Sequence, residues 1–329
     1  MTVIVPLAGY GTRLRPLTFS VPKPLLLCAG DPILGWIFKS ISGLSPSAII
    51  LIVGYQEDTI RDWVGEHYGD LPVKWVIQEE AKGLGHAVWK AGKVVSPESD
   101  VLIYLGDTIF DLDWNIVKEG KDNFIGVKRV EEPQQFGVVE VENNRIIDLV
   151  EKPEKPTSDL AVVGLYYIKK WDFLYRQLNF LIEEDIKTQN EYQLTDALKL
   201  MLEKEDTELK ILSVRGWYDC GKIDTLLQTN AGLLKNPPDW IDFKSKINNY
   251  SYISSSSRLE NTELGHFVTV GENSLIEKSS IRNSIIGNSV KIVNSDIFDS
   301  IIGDESEIIN VKGKFILGSN SFIRGKERR

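Results

Sequence analysis

The chain has 329 residues, enough for about two domains of ordinary size or one large domain with an appendage. Apolar residues make up 42% and charged residues 26%, the balance of a folded globular chain, and the longest apolar runs, such as Ala48 to Val53, fall far short of the roughly 18 residues that a membrane-spanning helix needs. Asp and Glu outnumber Lys and Arg by 47 to 38, for a net charge of −9, which argues against a general nucleic-acid or membrane-surface binder, because such proteins draw affinity from neutralising phosphates.

Up to about residue 230, short apolar runs alternate with longer amphipathic stretches, the pattern of strands and helices built around a mainly parallel sheet. Strands are expected at Thr2 to Leu7, Ala48 to Val53, Val73 to Ile77 and Val101 to Leu105, with helices between them at Pro32 to Leu44, Glu57 to His67 and Gly85 to Val95. A more β-rich portion follows, with strands expected at Phe124 to Arg129, Gly137 to Glu142, Arg145 to Val150 and Val162 to Ile168. Asn143 and Asn144 suit the hairpin turn between two of these.

Beyond residue 230 the composition changes: Pro237 and Pro238 break the helical pattern, Ser254 to Ser257 is a serine run, and no long amphipathic helix follows. Two domains are therefore expected, residues 1–235 and 250–329. In the second, an aliphatic residue precedes glycine at Gly271, Gly287, Gly303 and Gly318, spacings of 16, 16 and 15, and an isoleucine follows five residues after each, at Ile276, Ile292, Ile308 and Ile323. Such a period signals a stacked solenoid, each coil exposing an apolar edge that only its neighbour covers.

Two cysteines, Cys28 and Cys220, are too few for a disulfide framework or a four-thiolate zinc site, and three histidines, His67, His86 and His266, are too few for a histidine-rich metal centre. A cytoplasmic location is expected, and the start of the chain lacks the basic leader of a signal peptide. The most informative segment is PLAGYGTRLRPLTFSVPKPL, Pro6 to Leu25, directly after the first expected strand. Gly9 and Gly11 let a backbone approach phosphate closely, and Arg13, Arg15 and Lys23 add positive charge to the same loop, which makes it a polyphosphate cradle. Leu14 replaces the third glycine of a dinucleotide fingerprint, and no GK[ST] ending is present, so two familiar phosphate loops are excluded.

GYGTRLRPLTFSVPKPL resembles the signature of the sugar-1-phosphate nucleotidyltransferases. QEEAKGLGHAV at Gln78 to Val88, LGD at Leu105 to Asp107, FGVV at Phe136 to Val139, EKP at Glu151 to Pro153, VVGLY at Val162 to Tyr166, EYQLTD at Glu191 to Asp196 and WYDCG at Trp217 to Gly221 are similar to further family motifs in the family order. The resemblance covers residues 1 to about 230, and the repeats resemble the hexapeptide-repeat appendage of many members. It implies a Rossmann-like mixed α/β sheet domain followed by a short left-handed parallel β-helix. It also implies transfer of a nucleotidyl group from a nucleoside triphosphate to a sugar 1-phosphate, with release of pyrophosphate.

By the same resemblance, Leu7, Ala8, Gly9, Gly11 and Thr12 form the nucleotide-binding turn, and Gln78 and Gly83 contact the base. Arg13 grips the departing pyrophosphate and Lys23 the α-phosphate, while Gly137, Glu151, Lys152 and Gly164 line the sugar-phosphate side. Asp107 follows a strand at the carboxyl edge of the sheet, where open α/β folds bind ligands, and contributes to nucleotide binding. Asp107 and Asp219 together are expected to hold Mg²⁺, a hard ion that takes a few carboxylate oxygens plus substrate phosphates. His86 is expected to be structural or to serve the base pocket, and Cys220 to be a buried small apolar residue.

Glucose 1-phosphate is the acceptor the resemblance favours, with UTP or dTTP as donor. PLAGYGTR and KGLGHAV resemble uridylyltransferases, whereas RLRPLTFSVPKPL and the repeats are closer to thymidylyl- and guanylyltransferases, so mannose-1-phosphate guanylyltransferase activity is the alternative. A regulatory relative without activity is disfavoured by the presence of Arg13, Lys23, Asp107 and Asp219. A hexapeptide acyltransferase has only His266 to draw on in the repeats. A homo-oligomer assembled through the solenoid is also expected.

Overall fold

The first strand, Thr2–Pro6, is buried on both faces because Val3, Ile4 and Val5 are apolar in succession, and such a run belongs in the interior of a parallel sheet. In the computed structural model, which describes residues 1–204, 207–240 and 247–326, this strand is the third of nine in one sheet. The order is Val73–Ile77, Ala48–Val53, Thr2–Pro6, Val101–Tyr104, Leu160–Ile168, Asn123–Arg129, Leu209–Ser213, Arg145–Glu151, Gly137–Glu142. The first four are parallel; Leu160–Ile168 runs antiparallel to both of its long neighbours. Thr2–Pro6 and Val101–Tyr104, neighbours in the sheet, connect in opposite directions, the switch point at whose carboxyl end open sheets bind ligands.

All eight strands expected up to Ile168 are present within two residues of their expected bounds, and Asn143 and Asn144 adopt φ of 49° and 68°, as a two-residue hairpin turn demands. Of the three expected helices, Glu57–Tyr68 runs one residue further than expected and the other two are shorter. Leu84–Lys90 gives way to a 3-10 turn at Ala91–Lys93, where a Cβ on Gly92 would fall 1.9 Å from the Tyr175 ring, so the missing side chain is what lets helix Trp171–Glu183 pack there. The helix expected from Pro32 spans Ile33–Ile41. One strand of the nine-stranded sheet was not expected: Leu209–Ser213 slots between Asn123–Arg129 and Arg145–Glu151.

By contacts the chain forms two compact units, each discontinuous in sequence. The first comprises residues 1–9, 41–106 and 110–217 and contains the whole nine-stranded sheet. Its main core joins Ile4, Ile50, Ile52, Val101 and Ile103 of the sheet to Ala87, Leu174, Leu178, Leu194 and Leu198 of the helices Leu84–Lys90, Trp171–Glu183 and Leu194–Lys204. The second unit comprises residues 10–40, 107–109 and 218–329, of which 241–246 and 327–329 lie outside the described residues; the expected end of the second domain at 329 therefore does too.

In the second unit, residues 251–324 form a parallel β-helix. Three ladders of short strands run side by side, and the register advances by one coil, about 16 residues, at each step. Ile276, Ile292, Ile308 and Ile323 pair in one column, the stack that the repeat spacing predicts. The coil interior holds Val268, Ile276, Ile281, Ile286, Ile292, Ile297, Ile302 and Ile308, each at most 1% exposed.

The corners follow a rule that the glycine spacing does not reveal. Positive φ recurs at Asn273, Lys278, Asn283, Ser289, Asn294, Asp299, Glu305 and Asn310, steps of five, five and six residues. Asparagine tolerates this left-handed region best among residues with a side chain. A buried serine follows most of these corners. The hydroxyls of Ser274, Ser279, Ser284, Ser295 and Ser300 accept the backbone N–H of Val290, Ser295, Ser300, Val311 and Phe315 one coil on, so the turns leave no buried donor unpaired at those positions.

Candidate functional site

Within the first unit, Leu7 follows the central strand directly; its N–H donates to the Ile52 carbonyl, and its side chain fills the place that a Cβ on Gly106 would occupy at 2.2 Å. Ala8 stands beside Gly54 in the same way, whereas Gly9 is exposed with open space around its α-carbon. The chain then passes to the second unit. Gly11 has φ of 60°, a conformation suited to glycine, and Thr18 donates its hydroxyl to the Gly11 carbonyl at 2.8 Å, which closes the turn. The next turn, Thr12–Leu14, buries Leu14 and leaves Thr12 and Arg13 exposed. Arg15 stacks on Phe19, 4.9 Å from the ring centroid, and is thereby placed as a surface residue.

Lys23 lies between two prolines that fix the local backbone, and its side chain is only 13% exposed. Its ammonium is paired with the Asp107 carboxylate at 2.5 Å. Burial pushes the Asp107 carboxyl up, but the Lys23 charge and hydrogen bond, with help from Thr108 and Arg13, outweigh it, and the group sits below the ordinary carboxylate range. The Cys220 N–H donates to the Asp107 carbonyl at 2.9 Å, so the segments carrying Asp107 and Asp219 are joined backbone to backbone although 112 residues separate them. Asp219 accepts the Gly221 N–H at 2.8 Å, and a Cβ on Gly221 would meet the Asp219 carboxylate at 2.9 Å and the Arg13 guanidinium at 3.4 Å. Arg13, Lys23, Asp107 and Asp219 thus form one cluster of two cations and two carboxylates, all within the second unit.

Asp107 and Asp219 offer carboxylate oxygens, the donor type that hard divalent ions prefer, and among the described residues no group of three or more acids, histidines or cysteines gathers to cage an ion. Cys220 is fully buried, as expected of a small apolar residue, and so is Cys28.

The remaining expected residues belong to the first unit. Gln78 is 7% exposed at the end of strand Val73–Ile77, and its amide nitrogen lies 2.9 Å from His86 Nδ1 and 3.4 Å from the Gly83 carbonyl. Gly83 has φ of 101°, and a Cβ there would strike the Tyr192 carbonyl at 2.7 Å. The Gly85 N–H donates to that same carbonyl, and the Tyr192 N–H to the Lys82 carbonyl, so the KGLGHAV loop is laced to the EYQLTD segment. Elsewhere in this unit, Glu151 accepts the Thr195 hydroxyl at 3.0 Å, Gly137 leaves room for that carboxylate, and Lys152 Nζ is 3.7 Å away. Gly164, with φ of 94°, packs its bare α-carbon on Leu105.

Sequence reasoning missed three supporting residues: Thr18, which closes the Gly11 turn; Thr195, which holds Glu151; and Tyr192, which anchors Gly83. Thr195 and Tyr192 lie in the EYQLTD motif, whose match carried no residue roles. Of the histidines, His266 bonds the Asn249 carbonyl and packs on Tyr250 and Phe267 at a corner of the β-helix, where its own carbonyl accepts the Asn283 N–H of the next coil.

Residues 2–236 match the model of the nucleotidyl transferase family. The bifunctional protein GlmU of Methanococcus aeolicus is 36% identical over 252 residues, which are 75% of this chain and 57% of that protein, so the chain spans little more than half the length of this relative. A Sulfolobus acidocaldarius protein whose name provisionally assigns mannose-1-phosphate guanyltransferase activity is 28% identical over 87% of this chain and 76% of its own length. Among solved structures, UDP-glucose pyrophosphorylase complexed with UDP-glucose superposes with a TM-score of 0.61 at 22% identity, over 71% of this chain and 98% of that one, a likeness of fold. With a family match running from the first strand past the second acidic segment, the chain belongs to the nucleotidyl transferase family.

Proposed function

We propose that this protein transfers a nucleotidyl group from a nucleoside triphosphate, UTP or dTTP, to glucose 1-phosphate, forming a nucleotide sugar and pyrophosphate. The observation that carries this reading is the cluster of Arg13, Lys23, Asp107 and Asp219. A phosphate oxygen of the sugar phosphate, already anionic near neutral pH, attacks the α-phosphorus; the bond from that phosphorus to the bridging oxygen breaks, and pyrophosphate leaves with the electron pair. No proton has to move and no covalent enzyme intermediate forms. The protein is left to align the reactants and to stabilise charge, the two contributions that dominate such transfers.

Leu7, Ala8, Gly9, Gly11 and Thr12 supply the backbone turn for the triphosphate. Arg13 grips the departing β- and γ-phosphates and Lys23 the α-phosphate, where negative charge spreads during transfer. Asp107 and Asp219 would hold Mg²⁺, which supplies Lewis-acid neutralisation of the phosphate oxygens. Gln78 and Gly83 meet the base; Glu151 accepts sugar hydroxyl hydrogen bonds, Lys152 faces the sugar phosphate, and Gly137 and Gly164 give backbone access.

UDP-glucose in the structural neighbour supports the uridine and glucose choice. The Sulfolobus relative supports a second reading, GTP with mannose 1-phosphate. We also propose that residues 1–235 and 250–329 are two modules of one cytoplasmic, homo-oligomeric enzyme. Pyrophosphate release across UTP, dTTP, CTP, GTP and ATP, each paired with glucose, galactose, mannose and N-acetylglucosamine 1-phosphates, tests the reading. One pair containing UTP or dTTP and glucose 1-phosphate should dominate; a GTP and mannose optimum selects the second reading, and no release from any pair removes both.

A further inference from the structure

The loop that carries Arg13 and Lys23 is fastened to the β-helix at two places. At one end, the Ala29 N–H donates to the side-chain carbonyl of Asn230 at 2.8 Å, and that fully buried amide also accepts the Thr269 hydroxyl at 2.7 Å and donates to the Phe267 carbonyl at 3.1 Å. The next residue, Gly30, has φ of 85° and lies flat on the Tyr252 ring; a Cβ there would fall 2.7 Å from three ring carbons. At the other end, a Cβ on Gly318 would lie 3.0 Å from the Pro16 carbonyl oxygen, and the Ser20 and Ser319 hydroxyls are 3.0 Å apart. Every one of these residues belongs to the second unit.

The two anchors sit at opposite ends of a single ladder. Tyr252 is in Ser251–Ile253; Gly318 directly follows Ile316–Leu317; between them come Thr269–Val270, Ile285–Ile286 and Ile301–Ile302. Four inter-strand steps at about 4.8 Å make the distance along the ladder roughly 19 Å. Lys23 lies in sequence between the anchors, and Arg13 three residues before the outer one. Between residues 7 and 26 the loop has three prolines and no strand of its own, so besides its short-range turns and the Lys23–Asp107 pair, these anchors are what fix its span.

We propose that the β-helix is a splint for the phosphate loop, its coil count setting the distance between the two anchors, with Gly318 and Tyr252 acting as positioning residues for Arg13 and Lys23. The proposal rests on the reading of those two cations as the groups that grip the triphosphate. It gives the repeats a part in the transfer itself, beyond assembly, because a cation held in place before the substrate arrives costs less reorganisation than one that must be ordered on binding.

The test uses the full chain with Gly318→Val at one anchor, Tyr252→Ala at the other, and Phe322→Ala as a control, a residue 62% exposed in the last coil on another ladder. Hydrogen exchange reads the Leu14, Arg15, Leu25 and Leu26 amides, which bond within the loop. Each anchor variant is expected to speed that exchange and to raise KM for the nucleoside triphosphate about tenfold, while KM for the sugar phosphate and the exchange of β-helix amides stay within about twofold. Phe322→Ala should change neither. Unchanged loop exchange in both anchor variants overturns the splint, and faster exchange with an unchanged triphosphate KM overturns its positioning role. If the unmodified protein releases no pyrophosphate from any substrate pair, the proposed function fails, and loop exchange by itself still decides whether the β-helix holds the loop. Should Gly318→Val not fold, Tyr252→Ala gives the same readouts from the other anchor.

Discussion

The two units differ in what they would contribute to a reaction. The second contains Arg13, Lys23, Asp107 and Asp219, which under the proposed function would meet the triphosphate, and the first contains the candidate recognition residues, Gln78 and Gly83 for a base and Glu151 and Lys152 for a sugar phosphate. The linear sequence hides this division, because residues 10–40 and 107–109 are excursions from the sheet that end up packed with the repeats. Under the proposed function, the groups that would stabilise developing charge and those that would select substrate are held by different parts of the fold, so their removal should register in different kinetic constants.

The largest effect expected on that basis comes from the acids. Asp107→Asn and Asp219→Asn each keep shape and lose charge, and each should lower kcat about a thousandfold, roughly 4 kcal/mol of transition-state stabilisation, with less than tenfold change in KM for the sugar phosphate. Initial rates of pyrophosphate release over a range of Mg²⁺ concentration measure this; full activity in either variant would take that residue out of the ion site. Depression of the Asp107 pKa below the usual range adds a sign: the folded carboxylate keeps its charge below the unfolded-state value near 4, while the stability it brings through Lys23 is fully present above that value, falls as pH drops from there towards the lower folded value, and is gone below it.

Within the second unit, the β-helix sharpens the contrast from the side of stability. Ile292 is fully buried and pairs with Ile276 on one side and Ile308 on the other. Ile292→Ala should cost about 2–5 kcal/mol, read as a shift in urea midpoint, since each coil is covered only by its neighbours and has limited room to collapse. In the first unit, Glu151→Gln should act more weakly and on a different constant. It should raise KM for the sugar phosphate about tenfold, near 1.4 kcal/mol, and leave the triphosphate KM and kcat within about threefold. A kcat defect as large as that of Asp107→Asn would erase the proposed division of labour.

Much of this was legible in the sequence wherever the signal was local or periodic. The alternating apolar runs identify the strands around Thr2–Pro6, and the 16-residue period identifies the column Ile276, Ile292, Ile308, Ile323. Leu209–Ser213 escaped because its half-buried residues present neither a continuous apolar run nor an alternating one, and only its neighbours in the sheet make it a strand. Within the site, motif matches pointed to Asp107 and Asp219, but their nearness is set by a backbone bond across 112 residues, and no spacing rule encodes that. The serine ladder was hidden for the opposite reason: serine and asparagine read as loop composition, and their role as corner acceptors emerges only once the coils are stacked.

The smallest expected effect concerns His86, in the recognition unit. Its imidazole is 8% exposed, and its pKa is pushed below the ordinary value by burial first and then by Lys90 and Lys82, with Glu79 and Glu80 pulling the other way. The neutral form also fits its partner. The Gly83 carbonyl only accepts hydrogen bonds, so the Gln78 amide nitrogen faces it; the same nitrogen then donates to His86 Nδ1, which must carry a lone pair, leaving the ring hydrogen on Nε2. In the unfolded chain this imidazole titrates near pH 6.5, and in the folded chain lower, so between the two values the unfolded state binds more protons. Stability should therefore fall as pH drops below about 6.5, by at most about 1.4 kcal/mol per pH unit from this one group, and stop falling once pH passes below the folded value. Urea midpoints from pH 7.5 to 5, compared with His86→Asn, which cannot take up that proton, isolate the contribution; identical slopes in the two chains would mean that the ring is not held neutral, and that something other than His86 fixes the Gln78 amide.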